Sequence, residues 1–207
     1  WDWCSGYHSS DSVIAGFSHL HLSGTDIGDL ADILLMPVNR EVDLAFQPNG
    51  PTDYPYHSAF SHDREQASPG HYHVHLRDNE VDVTLTASVR TGFQKYTFDF
   101  GAMPSVVLDL GFAINWDDPV NTRIEVVNDT LVTGYRMSKG WAKDQRVYFA
   151  MTFSAPIDRW TLGHAGGVPG QIAVLESKGS RAQFFFRDLD ANTLKVKTGI
   201  STADVEG

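Results

Sequence analysis

Val81-Asp82-Val83-Thr84-Leu85-Thr86-Ala87-Ser88-Val89 alternates apolar and polar side chains over nine consecutive positions. In an extended chain successive side chains point to opposite faces, so Val81, Val83, Leu85, Ala87 and Val89 share one face. Asp82, Thr84, Thr86 and Ser88 take the other. A helix would scatter the same residues around its axis, so the period of two predicts a half-buried strand. Just before it, His71–Leu76 alternates in the same way. After it, strands are expected at 92–100, 105–112, 122–127, 130–137, 146–154, 159–162, 171–176, 181–187 and 193–201. Val, Thr, Phe and Tyr fill them, and turn signals separate them: Asn128-Asp129, Lys139-Gly140, Gly166-Gly167, Lys178-Gly179 and Asp190-Ala191-Asn192. Many short strands with no long helical segment imply antiparallel sheets packed face to face. The expected fold class is therefore all-β, a large antiparallel β-sandwich (supersandwich-like), with enough apolar sequence for a sizeable core.

Toward the N-terminus the pattern dissolves. Residues 1–32 are rich in Ser, Gly, Asp and His and keep neither period. Leu30 to Met36 reads as a strand that ends at Pro37, and a loop rich in Pro, Asn, Asp and Tyr follows from Gln47 to His57. The 207 residues fit one large domain, and residues 1–207 are read as one β-sandwich domain. The chain opens on Trp1-Asp2-Trp3 and stops at Val205-Glu206-Gly207, so a piece of a longer polypeptide is expected. No internal repeat or low-complexity tract is seen.

Composition narrows the partners. Charged residues make up 20% and hydrophobic residues 42%, as in ordinary globular chains rather than disordered ones. A formal net charge of -10 repels a duplex or an anionic membrane surface, so no nucleic acid is expected. A neutral ligand such as a sugar is compatible, since it needs hydrogen bonds and aromatic faces. No apolar run reaches membrane-spanning length, and the lone Cys4 leaves the compartment undetermined.

Four groups of residues carry possible chemistry. In Gly16-Phe17-Ser18-His19-Leu20-His21-Leu22-Ser23-Gly24-Thr25, glycines let backbone approach a ligand and short polar side chains reach its hydroxyls. The plain alternative is a buried polar loop whose groups satisfy one another. Trp1 and Trp3 flank Asp2, a pairing of aromatic faces and carboxylate that suits a sugar, although tryptophan is most often core. His71, His73 and His75 put three imidazoles on one strand face, a start for a metal site or simply a solvated face. Asp26, Asp29, Asp32 and the run Trp116-Asp117-Asp118 offer carboxylates, read here mainly as structural. There is no Gly-x-Ser-x-Gly elbow, no P-loop, no dinucleotide fingerprint and no His-Glu-x-x-His.

The ordered blocks Ser5-Gly6-Tyr7, Gly16-Phe17-Ser18-His19, His21-Leu22-Ser23-Gly24-Thr25 and Gly28-Asp29 resemble the N-terminal domain of glycoside hydrolase family 92. Further blocks agree: Phe60-Ser61-His62, Ala67-Ser68-Pro69-Gly70, Leu85-Thr86-Ala87 with Arg90, Gly140-Trp141-Ala142, Asp144-Gln145, Val147-Tyr148-Phe149, and the ending Val196-Lys197 with Gly199-Ile200-Ser201. The resemblance spans essentially the whole chain. It implies a parent enzyme that removes terminal α-linked mannose from glycans with inversion and depends on calcium. It also implies a C-terminal (α/α)6 domain, absent here along with the family's first strands, that holds the acid, the base and most calcium ligands. Neither catalytic residues nor metal ligands are therefore assigned in this chain, and no cofactor is expected in it. The expected partners are a mannose-containing glycan and that helical domain. The parent is expected to be secreted or periplasmic. Trp1, Trp3, Ser18, His19, His21, Ser23 and Gly24 are the expected sugar contacts. The rivals are a stand-alone carbohydrate-binding sandwich and a metal-dependent β-fold enzyme using His71, His73 and His75; the family pattern does not include that histidine run.

Overall fold

The computed structural model describes residues 7–21, 30–50, 53–99, 103–114, 116–163, 165–168, 171 and 173–205. Its strands in chain order are β1 (Val13–Ile14), β2 (Leu20–His21), β3 (Leu30–Asp32), β4 (Leu34–Val38), β5 (Ser58–Ala59) and β6 (Glu65–Ser68). Then come β7 (His71–Leu76), β8 (Val81–Ala87), β9 (Thr91–Phe98), β10 (Ser105–Asp109), β11 (Asp118–Val126) and β12 (Leu131–Lys139). The last six are β13 (Gln145–Phe153), β14 (Ile157–Leu162), β15 (Ala165–Gly167), β16 (Ala173–Ser177), β17 (Arg181–Phe186) and β18 (Thr193–Ser201). No helix among the described residues is long and apolar enough to cross a membrane.

Two antiparallel sheets face each other. One runs β16-β11-β12-β13-β18-β9-β8-β7-β6 and the other β15-β14-β17-β10-β4. The alternation that predicted β8 and its neighbours sends Val81, Val83, Tyr96, Phe98, Val132, Phe149, Met151 and Val196 inward. Phe153 of the larger sheet meets Phe184 and Phe186 of the smaller, with ring centroids 5.6 and 5.0 Å apart. β10 is buried along its whole length, because segments 39–50 and 53–57 cover the outer face of the smaller sheet. There Gln183 donates to the Arg40 carbonyl and accepts from the Val42 amide, and Tyr56 donates to Asp109 at 2.7 Å. That double coverage explains why Val106-Val107-Leu108 is a continuous apolar run rather than an alternating one.

The structure corrects three boundaries. Strand β8 ends at Ala87, and Val89 is 97% exposed in the turn that follows. Pro37 lies inside β4, paired with Val106, rather than ending the strand. β4 is the edge of its sheet, where a missing N–H breaks no ladder bond on the open side. The strand expected over 30–36 is split into β3 and β4, with Leu30, Ala31 and Ile33 at positive φ (70°, 66° and 56°).

The registers place several chain reversals at one end of the larger sheet. Ser68 pairs with His71, Ala87 with Gly92, Thr91 with Gly199, Ser138 with Gln145 and Asp118 with Lys139. The inner face changes character along its length. Toward these reversals it carries Thr122, Arg136, Ser138, Thr198 and Gln94; toward the other end it carries Val126, Val132, Phe153, Leu194 and Phe98.

Candidate functional site

The irregular segment 16–21 lies across this polar end. It runs beside β4, where Phe17 and Leu35 exchange backbone hydrogen bonds of 2.8 and 3.0 Å, and His19 N–H donates to the Asp32 carbonyl at 3.0 Å. Gly16 is needed there, because a Cβ would stand 2.7 Å from the Leu34 side chain.

His19 joins the two sheets. Its Nδ1 lies 2.7 Å from the Ile33 carbonyl oxygen, which can only accept, so Nδ1 carries the proton. Nε2 is then the acceptor for the Gln94 amide at 3.2 Å, and Gln94 Oε1 accepts from the Tyr96 hydroxyl. Tyr96, Gln94, His19 and Ile33 thus form one directed chain. Burial pushes the His19 pKa down, partly offset by the Ile33 hydrogen bond, so the ring is neutral. Gly92 makes room for it, since a Cβ would come within 2.6 Å of the imidazole. Ser18 Oγ and His21 Nε2 are 2.5 Å apart. Although His21 has an exposed edge, the surrounding protein lowers its pKa by desolvation.

Two adjoining cavities form a groove around these residues. The smaller, about 440 Å³, is walled by Ser18, His19, His71, Gln94 and the turn carrying Val89 and Arg90. The larger, about 710 Å³, is walled by Tyr7, Ser18, His21, Ala31, Glu65, Phe112 and Ile114. Phe17, Ser18, Ala67, Tyr72 and Leu85 border both. Trp116 and Trp141, 52% and 65% exposed, follow on from the Asp118–Lys139 pairing at the same end of the sheet.

Of the expected sugar contacts, Ser18, His19 and His21 are thus brought together on the groove. Trp1, Trp3, Ser23 and Gly24 lie outside the described residues.

Sequence reasoning missed Glu65, Tyr7, Tyr72 and Gln94. Glu65 accepts from Tyr72 at 2.6 Å, Tyr7 at 3.1 Å and His62 at 2.5 Å. Burial alone would raise its pKa, but these three hydrogen bonds outweigh it and hold the carboxylate ionised. Burial and the Glu65 charge together raise the pKa of Tyr72. β6, which carries Glu65, is a half-exposed edge strand with no apolar alternation, so sequence gave no signal for it. Gln94 was marked only by being polar in phase with Tyr96 and Phe98.

Of the carboxylates read as structural, Asp118 pairs with Lys139 and Lys178, while Asp26 and Asp29 lie outside the described residues. Asp32 and Asp117 both bind the buried Arg136. In the histidine run, His73 and His75 approach Asp82 at 3.7 and 3.2 Å. Among the described residues no three His, Cys, Asp or Glu side chains are grouped to hold a metal.

Fold and groove together define an antiparallel β-sandwich with a loop-built, mixed polar and apolar cleft at one end. The glycosyl hydrolase family 92 N-terminal domain matches residues 1–201. The chain belongs to that family. It resembles the family GH92 α-mannosidase BT3965 from Bacteroides thetaiotaomicron, with 30% identity and a TM-score of 0.87 over 100% of this chain and 29% of that one. The same enzyme in complex with mannoimidazole matches at 31% identity and TM-score 0.86, over 98% of this chain and 28% of that one. The family GH92 inverting mannosidase BT2199 from the same organism shares the fold at 22% identity and TM-score 0.76, over 97% of this chain and 26% of that one. This chain therefore spans under a third of the length of these relatives. No curated protein matches it.

Proposed function

We propose that this chain is the sugar-positioning domain of an exo-acting α-mannosidase, which removes terminal α-linked mannose from glycans by direct attack of water with inversion. The observation that carries the reading is the 30% identity to an α-mannosidase over the full chain, with segment 16–21 folded onto the groove. The relative bound to mannoimidazole supports a mannose-like ligand.

Inverting hydrolysis needs a protonated carboxyl to protonate the leaving oxygen and a carboxylate to activate water. The described carboxylates near the groove are poor candidates for either. Glu65 is saturated by three donors, and Asp32 and Asp117 are committed to Arg136. Acid and base are therefore assigned to the remainder of a longer polypeptide, the expected (α/α)6 domain. Calcium, which the family resemblance implies, is assigned to that same part. What this chain contributes is binding: the Ser18 hydroxyl and His21 imidazole toward sugar hydroxyls, and Phe17, Tyr72 and Leu85 as apolar surface. His19 holds the groove floor in register. A secreted or periplasmic location goes with this reading. The stand-alone sugar-binding module is the less supported reading, because the solved structures that match nearly all of this chain, over under a third of their own length, are α-mannosidases.

The test is a mannosidase assay on the full-length protein and its His19→Ala and His21→Ala variants. Activity should fall in both. Unchanged kinetics in both would remove the groove from the reaction.

A further inference from the structure

The groove walls are held from behind by one buried arginine. Arg136 sits on the inner face of β12 and has no exposed side-chain surface. Its Nη1 donates to Asp32 Oδ1 at 2.5 Å, and its Nη2 donates to Asp117. Nε reaches the Leu110 carbonyl at 3.0 Å and Nη2 the Phe112 carbonyl at 3.1 Å. Gln145, where β13 begins, donates to the second oxygen of Asp32 at 2.8 Å. Arg136 thus ties the stretch 30–35 to the loop residues 110–114 and 117, and Asp32 in turn ties that stretch to the reversal between β12 and β13 through Gln145.

Two of these segments are walls of the larger cavity. Ala31 and Leu34 line it from the first, and Phe112 and Ile114 from the second. The first wall is also strained. Leu30, Ala31 and Ile33 have left-handed backbone, which residues with a Cβ avoid, most of all a β-branched one. Asp32 lies inside that stretch and is its link to Arg136, while His19 grips the same stretch through the Asp32 and Ile33 carbonyls. A buried ion pair rarely stabilises a fold more than apolar side chains of equal volume would. At the other end the inner face of the larger sheet carries Val126, Val132, Phe153, Leu194 and Phe98. The network therefore makes sense as a device for geometry.

We propose that Arg136 is a positioning residue: through Asp32, Asp117 and the carbonyls of Leu110 and Phe112 it fixes both walls of the groove in ligand-binding geometry. The choice of ligand rests on the α-mannosidase reading; the geometric claim does not.

The experiment replaces the network in the full-length protein by apolar side chains: Arg136→Met with Asp32→Leu and Asp117→Leu. Thermal unfolding, hydrogen exchange and hydrolysis of 4-nitrophenyl α-mannoside are compared with the unmodified protein. The expected result is an unfolding temperature within a few degrees of the original. Exchange should rise across 17–21, 30–35 and 110–114 but not in β18. KM should rise on the order of tenfold, with kcat changed less, because the loss is one of binding geometry. A folded variant with unchanged exchange and unchanged KM overturns the proposal. Should the triple variant not fold, Asp117→Asn decides, since it weakens the tie from Arg136 to the loop carrying Phe112 and Ile114 and keeps Asp32 paired. It should raise KM and exchange in 110–114 severalfold with kcat changed less, and no change in either overturns the proposal. If the unmodified protein does not cleave the mannoside, the mannosidase reading fails, and the exchange comparison alone judges the role of Arg136.

Discussion

The two ends of the nine-stranded sheet share strands, registers and alternation, yet they are built from different materials. At one end Phe153, Phe184 and Phe186 close the sandwich with aromatic contacts. At the other, Gln94, Arg136 and Thr198 take the inward positions and the irregular segment 16–21 lies over them. Apolar burial is non-directional and stabilises any close packing. Hydrogen-bonded chains such as Tyr96–Gln94–His19–Ile33 add less net stability but fix orientation. One end therefore supplies most of the stability, and the other a shaped surface.

The comparison can be broken most forcefully at the apolar end. Phe153→Ala should cost about 3–5 kcal/mol in denaturant unfolding, while leaving exchange around His19 unchanged relative to global stability. A cost similar to that of a surface substitution would show that the two ends do not divide the labour.

At the polar end the equivalent lever is space. Gly92→Ala puts a methyl group 2.6 Å from the His19 ring, whereas at Gly199, one strand over, the nearest atom is 3.9 Å away. The first substitution should cost about 1–3 kcal/mol by forcing His19 off Gln94, and the second much less. Equal costs would mean that His19 is not fixed by β9.

Protonation separates the ends next. The folded pKa of His19 lies below the ordinary 6.5, so as pH falls through 6.5 the unfolded chain takes up a proton that the folded chain refuses. Stability should fall with acidification below about that value and level off beneath the folded pKa. His19→Gln should lessen that slope, and an identical slope in variant and parent would refute the assignment.

The smallest expected effect is at the rim. Glu65 has a lowered and His62 a raised pKa, each held by the other, with Tyr72 and Tyr7 adding to the hold on Glu65. The Glu65 contribution is present above its ordinary 4.5 and is lost as pH falls through the folded value. The His62 contribution is present below its ordinary 6.5 and is lost as pH rises through its folded value. The contact should therefore be strongest between those limits, and screened by salt because His62 is exposed. Chemical shifts of His62 that titrate at the same pH in Glu65→Gln would show the pair to be inert.

The apolar end was legible in the sequence, because alternation reports burial directly: β7 and β18 fall where the period placed them. The groove was legible only in part. The polar, glycine-rich composition of 16–25 marked Ser18, His19 and His21, but not their roles. His19 proves to be a joint between sheets, which depends on Gln94, 75 residues away. Left-handed backbone at Leu30, Ala31 and Ile33 leaves no mark in residue type, because it is imposed by tertiary contacts rather than by local preference. Arg136 did leave a mark. It stands in phase with the inward Val132, a charge at a core position of an otherwise regular strand.

Hydrogen exchange of the full-length protein with and without mannoimidazole tests the central claim most directly. If this end of the sandwich is one wall of the mannose pocket, the ligand should slow exchange in 16–21 and 88–94 and leave the turn between β11 and β12 unchanged. Binding that protects neither segment would contradict the account.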